Sequence, residues 1–191
     1  MSDAKSKIRK GVLFNRRLLS DRVFEERNAL LIKQSLNWCL EQKVKLAHCF
    51  LPITRNKEVN TWPLIEQLIQ AKVEVVVSAT DFKKQTMSHF MYSPELIFEN
   101  DAFGIPTPTN GIVAEMSKVD MVIIPLLAAD KSGNRVGYGK GYYDRLLTEM
   151  APGLLKVGVT LGPLFDHFSF AEPHDISLDF VITPFETVKC K

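Results

Sequence analysis

"VDMVIIPLLAADKSGNRVGYGKGYYDRLL", residues 119–147, passes from one kind of signal to another within a single stretch. Its first nine residues are almost all apolar and do not alternate, the pattern of a strand buried on both faces. Residues 133–147 then pack four glycines, three tyrosines, two arginines and a lysine into fifteen positions. From Gly141 onward, Tyr143, Leu146, Leu147 and Met150 recur at i, i+3, i+4 and i+7, which predicts a helix. Strand, glycine turn and helix in that order form half of a βαβ unit, and in open α/β sheets ligands collect beyond the carboxyl ends of the strands. Glycine permits close approach of the backbone, and N–H groups feeding a helix N-terminus attract anions. The stretch therefore predicts both a parallel sheet and an anion site at its edge.

Working outward, four further β-rich runs are found at 44–53, 73–79, 155–161 and 178–184. Helical spacing connects several of them. Residues 21–41 place Val23, Leu30, Leu31, Leu36 and Leu40 at helical intervals, and 62–71 begins after Thr61, an expected N-cap, with Pro63 in the first turn. The expected fold is α/β, a three-layer sandwich whose mainly parallel central sheet is flanked by helices, built as one domain over residues 1–191. The longest irregular stretch, 91–118 with "FGIPTPTNG", reads either as a binding loop or lid or as a plain surface excursion.

Of the 191 residues 46% are apolar and 24% charged, enough to fill a core. The net charge of +2 gives no support to a nucleic-acid-coating role. Cys39, Cys49 and Cys190 form no CxxC pair, and Cys39 and Cys49 read as reduced core residues of a cytoplasmic protein. No apolar run reaches the ~20 residues of a membrane span. The basic N-terminus, with Ile8, Val12 and Leu19 near one stripe, reads as an amphipathic helix or as a transit segment.

"GYGKGYYD" is neither a Walker A loop nor a dinucleotide fingerprint, because GxxxxGK[ST] and GxGxxG both fail. Its chemistry lies in its company: Arg135 before it and Lys140 within it suit phosphate oxygens, and Asp144 after it suits a divalent cation. The alternative is a tight strand-to-helix turn with solvated charges. Among the histidines, His48 reads as a satisfied core residue, and His89 and His167 as surface residues. His174 beside Asp175 makes a poor dyad, since neighbours on an extended chain face opposite ways. No zinc-ligand spacing is present. Trp38 and Trp62 read as packing residues.

The glycine segment resembles the signature of the 5-formyltetrahydrofolate cyclo-ligase family, and the resemblance runs through "KSKIR" (Lys5, Arg9), "EVNT" (Glu58, Thr61), "FGIPTP", "LLAADKSGNR" and "HDISLDFVITP". It implies a three-layer α/β fold and ATP-dependent closure of 5-formyltetrahydrofolate to 5,10-methenyltetrahydrofolate, with release of ADP and phosphate. The formyl oxygen would attack the γ-phosphate, and nitrogen-10 would then displace phosphate from the activated carbon. By resemblance, Lys5, Arg9, Gly133, Arg135, Gly137, Tyr138, Gly139, Lys140, Gly141 and Tyr142 belong to the ATP site, with Arg135 and Lys140 acting on the transferred phosphate. Ile53, Glu58, Met87, Tyr142 and Tyr143 belong to the folate site, and Asp144 and Asp175 to Mg²⁺. The chain is further expected to be a monomer that uses neither nucleic acid nor membrane.

The chain departs from the commoner family pattern at Thr107, where many members have Glu, at Leu126 (often Gly), at Ala129 (often Phe) and in "LGPLFDHFSF", which lacks a frequent glutamine. These departures motivate a second reading, a catalytically weak folate- or nucleotide-binding relative. A third, by analogy with sugar-phosphate isomerases and CoA-transferases of similar fold, leaves the glycine–lysine loop unexplained.

Overall fold

The computed structural model describes residues 3–170 and 175–190. Two helices open the chain, α1 (Asp3–Leu18) and α2 (Asp21–Glu41). They are followed by β1 (Leu46–His48), α3 (Trp62–Gln70), β2 (Glu74–Asp81) and β3 (Thr86–Met91). A small ribbon, β4 (Phe98–Asn100) with β5 (Pro106–Pro108), precedes β6 (Met121–Pro125). A second ribbon, β7 (Ala128–Ala129) with β8 (Arg135–Val136), leads into α4 (Tyr142–Glu149), and β9 (Leu155–Val159), β10 (Phe180–Ile182) and β11 (Thr187–Lys189) complete the sheet.

The main sheet has seven strands in the order β11-β10-β9-β6-β1-β2-β3. Its five central strands are parallel, and each edge is closed by an antiparallel strand. Four of the five central strands fall inside the apolar runs and β2 runs two residues past its own, for a reason visible in the packing. Ala47, Val75, Val77, Met121, Ile123, Val157 and Val159 face one side with Leu31, Leu64, Ile65 and Leu68 of α2 and α3. The alternating partners Leu46, Val76, Val122, Ile124 and Val181 face the other side with Leu146 and Leu147 of α4. Both faces are covered, so both sets of alternating positions are apolar. Three layers result, as expected.

Several expectations change in detail. Leu30 and Leu40 of α2 point outward, 50% and 43% exposed, while Leu31 is fully buried. Ser20 caps α2 by accepting from Val23 N–H. Thr61 makes no cap: its hydroxyl donates instead to the carbonyl of Phe50 at 2.6 Å, tying the start of α3 to the loop after β1. The 91–118 stretch is not structureless, because β4 and β5 pair within it. The edge strands β3 and β11 escape the apolar-run criterion because their side chains are only partly covered. Leu126, where glycine is frequent in the resembling family, is accommodated by Gly158: a Cβ there would stand 2.5 Å from a Leu126 methyl group.

Helix α1 meets the amphipathic expectation only in part. Ile8 and Val12 do pack, against Val136, Phe168 and Phe170. The buried residues of the helix, however, are Lys5 and Arg16, while Phe14 and Leu18 are 64% and 67% exposed; Leu19 lies beyond its end. Cys39 and Cys49 are buried and unbridged, and burial pushes the Cys39 thiol up to about 12. Among the described residues no helix is long and apolar enough to cross a membrane.

Ile123 sits on the central strand β6 at 1% exposure. Ile123→Ala is expected to lower unfolding free energy by about 2–5 kcal/mol in urea titration, with an unchanged m value.

Candidate active site

The chain runs from β1 through α3 to β2 on one side, and β6 lies on the other side of β1. The carboxyl end of β1 is thus a topological switch point, where connections leave in opposite directions and open a crevice. A cavity of about 650 Å³ lies there. The loop after β1 supplies Phe50, Ile53 and Glu58, the end of β2 supplies Ser78 and Thr80, and β6 supplies Pro125. The glycine loop and Lys5 and Arg9 of α1 close the opposite wall.

Of the residues singled out in the sequence, Lys5, Arg9, Ile53, Glu58, Met87, Arg135, Gly137 through Tyr143, Asp144 and Asp175 all line this cavity. Gly133 lies apart, in the turn before β8, with φ +87 and a missing Cβ that would stand 2.5 Å from the carbonyl of Leu178. Its glycine is required by packing rather than by contact with the cavity. His174 falls outside the described residues.

The glycine loop owes its path to two left-handed residues, Gly139 (φ +83) and Gly141 (φ +70), the latter at the N-cap of α4. Arg9 donates from Nε to the carbonyl of Gly137 at 2.8 Å and lies across Gly139, whose added Cβ would be 3.1 Å from the guanidinium carbon. Lys5 pairs with Asp175 at 2.7 Å. Arg135 is ion-paired to Asp144, donates to the carbonyl of Ile176, and feels the charge of Asp175 as well. Lys5, Arg9 and Arg135 thus gather with Lys140 around one wall, and Asp144 and Asp175 stand next to Arg135 and Lys5.

One carboxylate of the cavity wall is buried. Glu58 is 3% exposed and accepts from Ile53 N–H at 2.7 Å. Burial raises its pKa, while the Ile53 N–H, the Tyr138 hydroxyl and the Arg16 charge pull the other way. Glu58 Oε1, Tyr138 Oη and Arg16 Nη1 are each buried without a hydrogen-bond partner among the described residues. A solvated Glu58 is therefore excluded: its second oxygen is buried near the Tyr138 hydroxyl and the Arg16 guanidinium. Tyr142 and Tyr143 diverge, as neighbours on a helix must. Tyr143 packs inward among core residues, with its hydroxyl pushed well up by burial. Tyr142 turns to the rim, its ring 6.0 Å from that of Phe82, with the Arg145 guanidinium 5.0 Å above it.

Four contributors escaped sequence reasoning. Phe82 and Phe103 meet at 4.5 Å between ring centres on the cavity rim, although one follows β2 and the other tips the β4–β5 ribbon. Arg16 donates to the carbonyl of Leu126 at 2.8 Å beneath the pocket. Ser78 bridges His48 and His89, and His89 is half-buried rather than a surface residue. The only available signal was the "FGI" motif holding Phe103. The departure at Thr107 lies off the cavity wall, its hydroxyl bonded to the carbonyl of Ile105.

Residues 1–184 match the model of the 5-formyltetrahydrofolate cyclo-ligase family. The chain is similar to the 5-formyltetrahydrofolate cyclo-ligase of Mycolicibacterium smegmatis, 29% identical over 191 residues, with 95% of this chain and 94% of the relative covered. It is 32% identical over 115 residues to that of Mycoplasma pneumoniae, covering 60% of this chain and 67% of the relative. The NMR structure of a 5,10-methenyltetrahydrofolate synthetase from Aquifex aeolicus superposes with a TM-score of 0.81 at 30% identity, covering 98% of this chain and 93% of the other.

The buried histidine beside the site has a consequence for stability. Burial, with the charge of nearby His89, holds His48 down at about 3. An unfolded chain takes up that proton near pH 6.5 and the folded one does not, so between those values the unfolded state binds more protons. This contribution is lost as pH falls below about 6.5, with a slope of up to ~1.4 kcal/mol per pH unit. His48→Gln removes the term: the stability gap between wild type and variant in urea titrations is expected to change by about 1 kcal/mol or more from pH 7 to pH 5, in favour of the variant.

Proposed function

The chain belongs to the 5-formyltetrahydrofolate cyclo-ligase family, and we propose that it uses this cavity to close 5-formyltetrahydrofolate to 5,10-methenyltetrahydrofolate at the expense of ATP. The observation that carries the reading is the lining of the cavity: cations and a glycine loop share about 650 Å³ with apolar side chains and a single buried carboxylate. The cationic wall suits a polyphosphate. The apolar side chains suit a flat heterocycle whose N–H groups reach Glu58.

The reaction requires alignment more than covalent chemistry from the protein. A formyl oxygen on an amide nitrogen is a poor leaving group, and transfer of the γ-phosphoryl group to it converts it into a good one. Lys5, Arg9, Arg135 and Lys140 neutralise charge on the phosphates, and the loop N–H groups from Gly137 to Tyr142 donate to phosphate oxygens. Arg135 is already oriented by Asp144 and by the carbonyl of Ile176, so little reorganisation is needed when charge develops. Glu58 holds the pterin end, Ile53, Met87 and Tyr143 pack against its ring, and Tyr142 lies at the rim. Nitrogen-10 then attacks the activated carbon, its bond to carbon forms, and phosphate departs with the former formyl oxygen.

Asp144 and Asp175 fit a magnesium ion: both are hard oxygen donors on the cavity wall, beside the same cations that would hold phosphate. Bound there, the ion would shield phosphate charge. No group of three or more His, Cys, Asp or Glu side chains converges among the described residues, so phosphate oxygens and water would complete its shell. We further propose a cytoplasmic monomer of one domain with no nucleic-acid or membrane partner.

Purified protein mixed with 5-formyltetrahydrofolate, Mg²⁺ and ATP is expected to develop the near-ultraviolet band of the methenyl product, and to show none without ATP. Arg135→Ala is expected to lower kcat by about 10²–10³, with circular dichroism confirming the fold. A flat wild-type trace from protein that still binds the folate would overturn the enzymatic reading in favour of a binding relative. Gly139→Ala places a side chain at positive φ under Arg9, and is expected to raise the KM for ATP about tenfold while leaving that for the folate within twofold.

A further inference from the structure

Arg16, Glu58 and Tyr138 come from three separate elements and meet around one buried point. Arg16 lies in the last turn of α1, 5% exposed, and its Nη2 donates to the carbonyl of Leu126 at 2.8 Å. Glu58 follows β1 in the chain, and one of its oxygens accepts from Ile53 N–H at 2.7 Å. Tyr138 stands between Gly137 and Gly139 in the glycine loop and lines the cavity with its hydroxyl buried. The atoms left over are Arg16 Nη1, Glu58 Oε1 and Tyr138 Oη, each buried and without a hydrogen-bond partner among the described residues. They lie close enough to act on one another: the phenol feels both the carboxylate and the guanidinium, and the carboxylate feels both of them. The mechanism above uses Tyr138 only through its backbone and Arg16 not at all.

The chemistry of the outer two groups fixes the part played by the third. A guanidinium has N–H donors and no acceptor, and an ionised carboxylate has acceptors and no donor. Toward Arg16 the phenol can therefore only accept, and toward an ionised Glu58 it can only donate. Burial drives Glu58 toward its neutral form, and the Ile53 N–H, the Tyr138 hydroxyl and the Arg16 charge oppose that drive. Tyr143 of α4 also feels the carboxylate, its hydroxyl raised by burial first and by the Glu58 charge second. A carboxylate offers about four lone-pair sites. Ile53, Tyr138 and Arg16 can fill three of them, which leaves one for a guest in the cavity that Glu58 lines.

We propose that the Tyr138 side chain serves the folate rather than the nucleotide: with Arg16 it is a positioning residue that holds Glu58 as an oriented acceptor for the pterin N–H groups. The pterin contact of Glu58 rests on the function proposed above; the assignment of Tyr138 and Arg16 to Glu58 follows from the buried cluster. One residue of the glycine loop then has two duties, its backbone within the phosphate-binding stretch and its phenol at the carboxylate.

The test is a double-mutant cycle read by calorimetric titration of the full chain with 5-formyltetrahydrofolate, without ATP, at pH 8 and pH 6, and with ATP titrated separately. Tyr138→Phe keeps the ring and the backbone N–H and removes only the hydroxyl. It is expected to raise the folate Kd about fivefold at pH 8 and to leave the ATP Kd within about twofold. In Glu58→Gln protein, where the folate is already held about tenfold more weakly, the same substitution is expected to change the folate Kd by less than about twofold. Loss of the hydroxyl lifts Glu58 further, so the variant takes up its proton at a higher pH than wild type does. The ratio of variant to wild-type folate Kd is therefore expected to widen by about threefold from pH 8 to pH 6. Arg16→Gln is expected to act in the same direction, and Arg16→Lys, which keeps the charge, to recover part of the loss. Equal effects of Tyr138→Phe with and without Glu58, a ratio unchanged between the two pH values, or parallel loss of ATP affinity would overturn this inference alone. Folate affinity unmoved by Glu58→Gln would overturn it together with the pterin contact of Glu58. Wild-type protein that fails to bind the folate at all would overturn the substrate reading as well.

Discussion

One buried carboxylate organises the region on which the site depends. Asp130 is fully buried and accepts four hydrogen bonds, from the backbone N–H groups of Ser132, Asn134 and Phe168 and from the Asn134 amide. A charge at that depth is tolerable only when donors surround it. Three of these bonds close the turn between β7 and β8, which sends Arg135 and the glycine loop toward the cavity. The fourth draws in Phe168, and with Val136 it forms the patch on which Ile8 and Val12 of α1 land. Both elements that carry cations to the site, the loop and the helix, are thus held by one side chain. Gly133 completes the arrangement by letting that turn press against the backbone of Leu178.

The sheet then decides which ends face each other. Because β2 and β6 flank β1 on opposite sides, their loops open around its carboxyl end. The loop after β1 brings Ile53 and Glu58, and the segment after β6 brings the cationic turn. Helix α1 spans the two: Lys5 and Arg9 reach the glycine-loop wall, and Arg16, two turns beyond Arg9, lies by Glu58 and Tyr138. The cavity accordingly combines the cations of α1 and the glycine loop with one desolvated carboxylate. The aromatic rim of Phe82, Phe103 and Tyr142 is contributed by three separate elements.

Much of this was legible in the residues because it depends on local or periodic signals. Five central strands, buried on both faces, announced themselves as continuous apolar runs, and α2 and α4 by their spacing. The glycine loop, Arg135, Lys140 and Asp144 are neighbours in the chain, so their joint chemistry could be read before any fold was known. Lys5, Arg9, Glu58 and Met87 were reached only through the family resemblance, for nothing local distinguishes them from surface or core residues. The edge strands were missed because a half-covered strand lacks the apolar signal. Arg16 was missed because its burial is created by Leu126 and Tyr138, more than a hundred positions away.

What the sequence determined by itself, then, was the class of the fold and the kind of chemistry at its edge, since both rest on period, turn residues and contiguous charge. The pairing of distant groups came only with the folded chain. His89 reads in isolation as a surface histidine, yet β2 and β3 half-bury it and place it 2.8 Å from Ser78. Glu58 precedes a helix, where a carboxylate can also stand in solvent, yet the loop after β1 folds back and desolvates it. Burial and hydrogen-bond geometry are properties of neighbours in space, and a linear chain does not carry them until the sheet has set its strand order.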